Sequence, residues 1–196
     1  MKSSYYSNAE LIEIGLHKMG CNVLISRKAS IYFPENISIG DNVRIDDYCI
    51  LSASKSIILG NHIHIGCYSA LFGGSGITFH DFCNVSCRVT ILTESDDGSG
   101  ESMVGSTIPK KFKPKYKAGA VVLERHSCVA INSTIMPGVI LSEGSAIGAH
   151  SLVTKNCEPW TIYFGVPAKK LHSRKKTIIE LEKDFINEWE RYLFER

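Results

Sequence analysis

Acidic side chains are concentrated in one polar segment of the chain, and they are the first candidates for chemistry. Glu94, Asp96, Asp97 and Glu101 all fall within residues 94–101. A carboxylate can hold a cationic amine and accept a proton from it, which is general-base chemistry. We predict this role for Glu94 and Glu101 and substrate binding for Asp97. The alternatives are solvated loop acids, and for Asp96 and Asp97 a turn before Gly98.

Histidine and arginine supply a second set of candidates outside that segment. Residues 92–119 contain no histidine, so a histidine base has to come from elsewhere, and His64 and His126 are the reserve candidates. Each of them alone is more often structural than catalytic. We also predict that His64 and Arg88 bind substrate, because a guanidinium suits a sugar or a phosphate. Arg88 can equally form an ion pair with the loop acids.

Basic residues gather near the C-terminus and suggest a phosphate-bearing ligand. The members of this group are Lys155, Lys169, Lys170, Arg174 and Lys175. Such a cluster attracts anions, and the alternative is a solvated basic start to a helix.

The bulk composition narrows the classes of protein that fit. A net charge of +2 is too small to indicate nucleic-acid binding, although residues 110–117 are rich in lysine with interleaved aromatics. No apolar run approaches the length of a membrane span, so we predict a cytoplasmic protein without a membrane partner. The seven cysteines include no Cys-x-x-Cys pair, and we interpret them as reduced structural thiols.

The elements that must position these side chains follow from a six-residue period. Large apolar residues recur at Met19, Ile25, Ile31, Ile39, Ile45, Leu51, Leu59, Ile65, Leu71, Phe79, Val85 and Ile91, and again at Leu123, Val129, Ile135, Leu141, Ile147 and Val153. A helix would repeat near 3.6 residues and a half-buried strand at two. A period of six instead predicts short strands joined by corners, three to a triangular coil, stacked as a parallel β-helix. A β-sandwich is the alternative.

The chain therefore divides into five parts of one domain spanning residues 1–196. Ser7 and Glu10 have the spacing of a capping box at the start of a helix that Gly20 would end. The predicted parts are an N-terminal helix (7–18), coils (19–91), an excursion loop (92–119), further coils (120–157), and a C-terminal cap with a helix (158–196). An apolar stripe, Ile178, Leu181, Phe185, Trp189 and Tyr192, predicts that the last helix packs either on its own coils or across a subunit contact.

Two motifs identify a family. Residues 147–155 read Ile-Gly-Ala-His-Ser-Leu-Val-Thr-Lys, and residues 163–169 read Tyr-Phe-Gly-Val-Pro-Ala-Lys. With the hexads and the excursion loop, they resemble the hexapeptide-repeat acyltransferases. That resemblance implies an all-β fold, a left-handed parallel β-helix, an acyl-CoA co-substrate (acetyl-CoA or longer) and no metal. It also implies a homotrimer with active sites between subunits.

A finer resemblance suggests the acceptor. Residues 39–47 and 95–101 are similar to those of bacterial enzymes that N-acylate a nucleotide-linked amino-dideoxy sugar, of the dTDP-4-amino-4,6-dideoxyhexose type, in surface-polysaccharide biosynthesis. The alternatives are a sugar O-acetyltransferase using acetyl-CoA and a non-catalytic nucleotide-sugar-binding β-helix. A zinc-dependent β-helix hydratase needs histidines at ligand spacing, and this sequence has no such pair.

The resemblance also implies a place for the coenzyme. Ala130 and Ala149 match positions that the family uses for the pantetheine arm, and Lys155, Lys169 and Lys170 are expected near the ADP phosphates. Many family members supply a histidine base from the excursion loop, and this loop has none. An amine is a better nucleophile than a hydroxyl, so the acidic loop favours N-acylation over O-acylation.

Overall fold

Short strands dominate the architecture. The computed structural model describes residues 4–194, with helices α1 (Asn8–Ile14) and α2 (Ile178–Phe194) near its two ends. The strands are β1 (Lys18–Met19), β2 (Leu24–Ile25), β3 (Ser30–Tyr32), β4 (Ile37–Ile39), β5 (Val43–Ile45), β6 (Ile50–Ser52), β7 (Ile57–Leu59), β8 (Ile63–Ile65), β9 (Ala70–Phe72), β10 (Ile77–Phe79), β11 (Asn84–Val85), β12 (Thr90–Leu92), β13 (Glu94–Ser95), β14 (Lys117–Ala118), β15 (Val121–Leu123), β16 (Cys128–Val129), β17 (Thr134–Ile135), β18 (Ile140–Leu141), β19 (Ala146–Ile147), β20 (Leu152–Val153), β21 (Thr161–Gly165) and β22 (Ala168–Ser173).

Successive strands enter three sheets in rotation, which makes a triangular prism. The first sheet is β1-β4-β7-β10-β15-β18, the second β2-β5-β8-β11-β16-β19-β21-β22, and the third β3-β6-β9-β12-β17-β20. Within these sheets all neighbours pair in parallel except β21 and β22, which form an antiparallel hairpin. The chain is a left-handed parallel β-helix of about seven turns, which confirms the predicted fold.

The hexad anchors stack on one another along the prism axis. Ile39 lies beside Leu59, Leu59 beside Phe79, and Phe79 beside Leu123. All four side chains are buried, so the core is a column of apolar side chains that only stacked coils can cover.

Small polar residues complete the inward positions at the corners. The Ser69 hydroxyl donates to the carbonyl oxygen of Ser86 at 2.9 Å, and the Ser133 hydroxyl to that of Gly148 at 3.0 Å. A corner turns backbone carbonyls inward, and a buried carbonyl needs a donor. The small residue four positions after an anchor therefore satisfies the backbone as well as filling space.

A ladder of side-chain oxygens joins the coils at the corner between the first and second sheets. Asp41 Oδ1 accepts from the backbone N–H of Cys21 at 2.7 Å, and Asn61 Oδ1 accepts from that of Asp41 at 2.8 Å. Asp81 Oδ1 continues the ladder to the N–H of Asn61 at 2.7 Å. Each bond links residues 20 positions apart, so the ladder holds one coil in register with the next.

The N-terminal helix is shorter than the sequence predicts. Ser7 and Glu10 form the expected capping box. The helix ends at Ile14 because Gly15 adopts a left-handed conformation, φ 82°, and donates its N–H to the carbonyl oxygen of Ile12. The predicted helix over 7–18, ended by Gly20, is therefore wrong at its C-terminus.

The C-terminal helix packs against its own coils. Phe185 meets the His62 ring edge-on with centroids 5.2 Å apart, and Glu182 bonds both Arg125 and His126. Of the two predicted packings, the described part of the helix therefore shows the intrachain one. Helix α2 begins at Ile178. The predicted contribution of Tyr192 falls on a side chain outside those described. No helix in residues 4–194 is long and apolar enough to cross a membrane.

We expect Gly40→Ala to lower the free energy of unfolding by about 1–3 kcal/mol through overpacking. A Cβ at Gly40 would lie 2.5 Å from Asn61 Oδ1 and 2.6 Å from the carbonyl oxygen of Gly60. The matched control is Gly98→Ala, where a Cβ meets nothing within 4 Å, and we expect a change within about 0.5 kcal/mol. Urea unfolding of both variants tests this expectation, and equal losses would contradict the role of the oxygen ladder.

Candidate active site

Glu94 is held in a fixed position at the base of the excursion loop. It lies in β13, which pairs with β14 and so closes the loop on the prism. Its carboxylate accepts from the Ser75 hydroxyl at 3.2 Å and from the Tyr116 hydroxyl at 3.0 Å. The ammonium of Lys110 lies 3.4 Å away. The side chain is 26% exposed, so a ligand can still reach it.

Tyr116 has a perturbed pKa at this site. Burial, followed by the hydrogen bond to Glu94 and the nearby carboxylate charges, raises the pKa of Tyr116 to about 12. The phenol therefore stays protonated and remains a hydrogen-bond donor to Glu94. Lys110 and Lys113 place their ammonium groups 5.1 and 5.4 Å from the ring centroid.

The excursion loop is a folded lobe with its own interior cation. Lys113 is buried, and its ammonium lies 2.8 Å from Asp96 and bonds the carbonyl oxygen of Gly105 at 2.5 Å. The hydrogen bond from Lys113 and that from the N–H of Gly105 lower the pKa of the Asp96 carboxyl. Asp96 is therefore committed to holding the lobe together.

The other loop acids differ from Glu94 in their surroundings. Glu101 is 63% exposed and pairs with Lys115 at 3.2 Å. Asp97 accepts from both the backbone N–H and the hydroxyl of Ser99, which is the local geometry of a turn. Among the described contacts none joins Glu101 or Asp97 to Glu94, so the structure does not gather the predicted acids into one cluster.

His64 lies on the second sheet in a separate polar group. Its Nε2 lies 2.8 Å from Asp46 Oδ2, and Asp46 Oδ1 accepts from Arg44 Nε at 2.7 Å. Burial opposes ionisation of Asp46, but the hydrogen bonds from His64 and Arg44 outweigh it and lower the pKa of the carboxyl. Asp46 therefore fixes the orientation of the imidazole.

A groove beside His64 lies between the second sheet and α2. Its volume is about 450 Å³, and its walls include His64, Asn84, Phe82, Leu181 and Phe185. Apolar rings with a few polar atoms at one side are typical of a site for a small organic ligand. His126 also borders it, but that side chain is 2% exposed and bonds Glu182 at 2.5 Å. The structure favours the structural alternative for His126, since the ring is buried and its Nε2 is paired with Glu182.

Arg88 lies at the corner between the second and third sheets, and its described partner is an aromatic ring. Its guanidinium is 5.7 Å from the centroid of Tyr68, which stacks on Tyr48 with centroids 4.9 Å apart. The alternative of an ion pair with the loop acids is not found among the described residues. The exposed guanidinium edge can meet an anion from solvent.

These groups lie on different sides of the prism. Glu94 occupies the corner where the third sheet passes to the first, whereas His64 and Arg88 belong to the second sheet and its far corner. One chain therefore does not bring the loop carboxylate to the groove. A site that uses both needs two copies of the chain.

Comparison with known proteins decides the family. No protein-family model matches the chain. The dTDP-4-amino-4,6-dideoxy-D-glucose acyltransferase of Escherichia coli is 40% identical over 183 residues, which cover 93% of this chain and 95% of that enzyme. The chain belongs to the hexapeptide-repeat acyltransferases. It is an acyltransferase, as the sequence motifs predict.

Solved structures agree with this assignment. AntD, an N-acyltransferase from Bacillus cereus solved with dTDP and 3-hydroxybutyryl-CoA, superposes with a TM-score of 0.93 at 46% identity. The match covers 96% of this chain and 100% of that one. A hexapeptide-repeat acetyltransferase from Vibrio cholerae, complexed with acetyl coenzyme A, has a TM-score of 0.60 at 19% identity over 86% of this chain and 76% of its own. That second likeness supports the fold alone.

The residues predicted to hold the coenzyme of this acyltransferase lie at the C-terminal coils. Ala130 and Ala149 follow β16 and β19 at the same corner as Arg88, and both are half-buried. Lys155 and Lys169 are exposed, whereas the ammonium of Lys170 bonds Glu158 at 2.5 Å.

Two further basic residues of the predicted C-terminal cluster are placed differently. Arg174 is committed to the backbone, since it donates to the carbonyl oxygens of His126 and Gly144. Lys175 is exposed. The cluster is therefore looser than predicted, and no described group of three or more His, Cys, Asp or Glu could hold a metal ion.

Sequence reasoning missed the residues that fix Glu94. Ser75 lies 19 positions away and Tyr116 lies 22 positions away, and no local motif connects them to the acid. The available signal was the 20-residue coil, because a serine one coil before position 94 falls beside it. Nothing in the sequence marked Tyr116 beyond its place in a basic, aromatic stretch.

The Tyr116–Glu94 contact has a spectroscopic consequence. We expect the difference between the ultraviolet pH titrations of the wild-type protein and of Tyr116→Phe to show one tyrosinate transition near pH 12. Glu94→Gln should move that transition to lower pH, because the amide carries no charge to oppose the phenolate. Tyr32→Phe, which removes an exposed tyrosine, is the control and should leave it in place. A Tyr116 transition at the same pH in Glu94→Gln as in the wild-type protein would refute the contact.

Proposed function

We propose that this acyltransferase transfers an acyl group from acyl-CoA to the amine of a dTDP-linked 4-amino-4,6-dideoxyhexose. The E. coli relative is named for dTDP-4-amino-4,6-dideoxy-D-glucose, and AntD was solved with dTDP and 3-hydroxybutyryl-CoA. Both likenesses extend over more than nine-tenths of this chain. They support a common pair of substrates, an acyl thioester and a nucleotide sugar.

The main support for an amine acceptor is the fixed carboxylate of Glu94. In the reaction the sugar nitrogen attacks the thioester carbonyl, a C–N bond forms, and the C–S bond breaks to release the coenzyme thiolate. The nitrogen loses one proton and the thiolate gains one. A carboxylate held by Ser75 and Tyr116 can orient the amine and accept its proton.

A hydroxyl acceptor would need a stronger general base than this loop supplies. An alcohol is a poor nucleophile without a strong base, which is usually histidine, and residues 92–119 contain none. We therefore propose N-acylation rather than the O-acetylation suggested by a relative at 25% identity, a putative lipopolysaccharide biosynthesis O-acetyl transferase of E. coli.

We propose a homotrimer whose active sites lie between subunits. The loop with Glu94 and the face with His64 and Arg88 are on different sides of one prism, and closed cyclic symmetry brings such unlike surfaces together in every copy. Glu101 and Asp97 then reach the acceptor from the loop of one subunit. His64 and Arg88 bind the nucleotide sugar from the face of the next.

The coenzyme is proposed to lie along the C-terminal coils. Ala130 and Ala149 leave room at the corner for an extended pantetheine arm, and Lys155, Lys169 and Lys170 attract its phosphates. Acyl-CoA thioesters and nucleotide sugars are made inside cells, so we propose a cytoplasmic site of action that supplies surface-polysaccharide biosynthesis.

Removal of the loop charges tests the assignment of the acids. We expect Glu94→Gln and Glu101→Gln each to lower kcat by about 10²-fold, which is typical of a lost acid–base group. Free thiol released from acetyl-CoA or 3-hydroxybutyryl-CoA reports turnover, with matched amino and hydroxy dTDP-sugars as acceptors.

Glu13→Gln, on the exposed face of α1, is the control and should keep the wild-type rate. Near-normal kcat in both loop variants would show that these acids take no part in the mechanism. Thiol release with the hydroxy-sugar alone would replace N-acylation by O-acylation.

A mixed-subunit experiment tests the shared site. We coexpress Glu94→Gln and Arg88→Glu chains with different tags, each inactive in its own homotrimer. In random mixing about three quarters of trimers are mixed and one of their three sites is intact, so about a quarter of wild-type activity returns. Coexpression of two differently tagged Glu94→Gln chains is the control. An active monomer, or no recovery in the mixed trimers, would contradict a site between subunits.

A further inference from the structure

Two cysteines face each other across adjacent coils, outside the residues assigned to acyl transfer. Cys67 follows β8 and Cys87 follows β11, and their sulfurs are 3.4 Å apart. The backbone N–H of Arg88 donates to the carbonyl oxygen of Cys67 at 2.9 Å, so the two residues are aligned in register. The six-residue period explains the inward cysteines but not this pair, because neither position is an inward one.

The backbone geometry already suits a disulfide. Neighbouring strands lie about 4.8 Å apart, which is within the Cα separation that a disulfide requires, about 4.4–6.8 Å. The sulfurs need to close from 3.4 Å to about 2.05 Å. Side-chain rotation can supply most of this movement, so the coils need not separate.

The remaining cysteines are in different settings. Cys49 and Cys83 point inward and donate to backbone carbonyl oxygens, and Cys157 is buried. Cys21 is exposed. Cys67 and Cys87 are both half-buried, so a small reagent can reach them.

We propose that Cys67 and Cys87 form a redox-active dithiol that a low-molecular-weight disulfide oxidises reversibly to an intrachain disulfide. One protein thiolate attacks the reagent, forms a mixed disulfide and releases one thiol. The second protein sulfur then displaces the other thiol. Two protein thiols are oxidised, one reagent disulfide is reduced to two thiols, and both protons leave on those thiols.

The hydrogen bond between the sulfurs sets the order of attack. The Cys67 S–H donates to Cys87 Sγ, and this bond, followed by burial, raises the pKa of the Cys67 thiol. The sulfur that accepts this hydrogen bond is the better placed to attack, because the neighbouring S–H can stabilise negative charge on it. Cys87 is therefore the attacking sulfur, and Cys67 is the one that resolves the mixed disulfide.

The test uses the full-length protein in its native assembly with glutathione disulfide as the probe. Peptide mapping without reduction should show a Cys67–Cys87 link, the loss of two of the seven thiols, and full reversal by dithiothreitol. Cys67→Ser should instead accumulate a stable glutathione adduct on Cys87. Cys87→Ser should leave Cys67 largely unmodified over the same time.

The matched control is Cys21→Ser, which should still form the link. Three results would overturn the proposal: both thiols remain free under native conditions, the link forms between chains, or glutathione reacts with Cys21 alone. A stable adduct on Cys67 in Cys87→Ser that forms as fast as the one on Cys87 would overturn the order of attack.

Discussion

Parallel pairing of one coil with the next is the constraint on which the structure depends. Most short strands satisfy their backbone groups through neighbours about 20 residues away, as in the pairing of Ile37 with Ile57 and of Ile57 with Ile77. Strands of two or three residues cannot persist alone, since isolated pairs are marginal in water. Stability therefore comes from stacking, and the inward anchors are effective only because the register places them above one another.

The same register makes the corners useful for function. Side chains at a corner repeat at each coil and form columns, such as Tyr48 and Tyr68 beneath Arg88, or His62 and Phe82 beneath α2. A column is rigid because its backbone is bonded on both sides. The excursion loop leaves the prism at the corner where extra residues do not disturb the strands, and β13 and β14 close it at its base.

The six-residue period predicted the sheets, the core and the place of the loop, because one repeated physical requirement dictates all three. Prediction failed where a local interaction interrupted the pattern. Gly15 ends α1 since its left-handed conformation makes a helix cap, whereas the sequence analysis predicted that Gly20 would end it. His126 looked available as a base, but it is covered by α2 through Glu182, which lies 56 positions away. A contact between residues so far apart in the sequence leaves no recognisable pattern in the spacing of residue types.

The acids of the loop show how far composition can mislead. Four carboxylates lie close in sequence, yet the fold gives them separate tasks. Asp96 neutralises the buried Lys113, Asp97 makes a turn, and Glu101 lies at the surface with Lys115. Glu94 alone is held against the prism by neutral donors as well as by a lysine. A hydroxyl donor orients a carboxylate and leaves its charge intact, so Glu94 keeps the capacity to bind a cationic amine, whereas the charge of Asp96 is neutralised by Lys113.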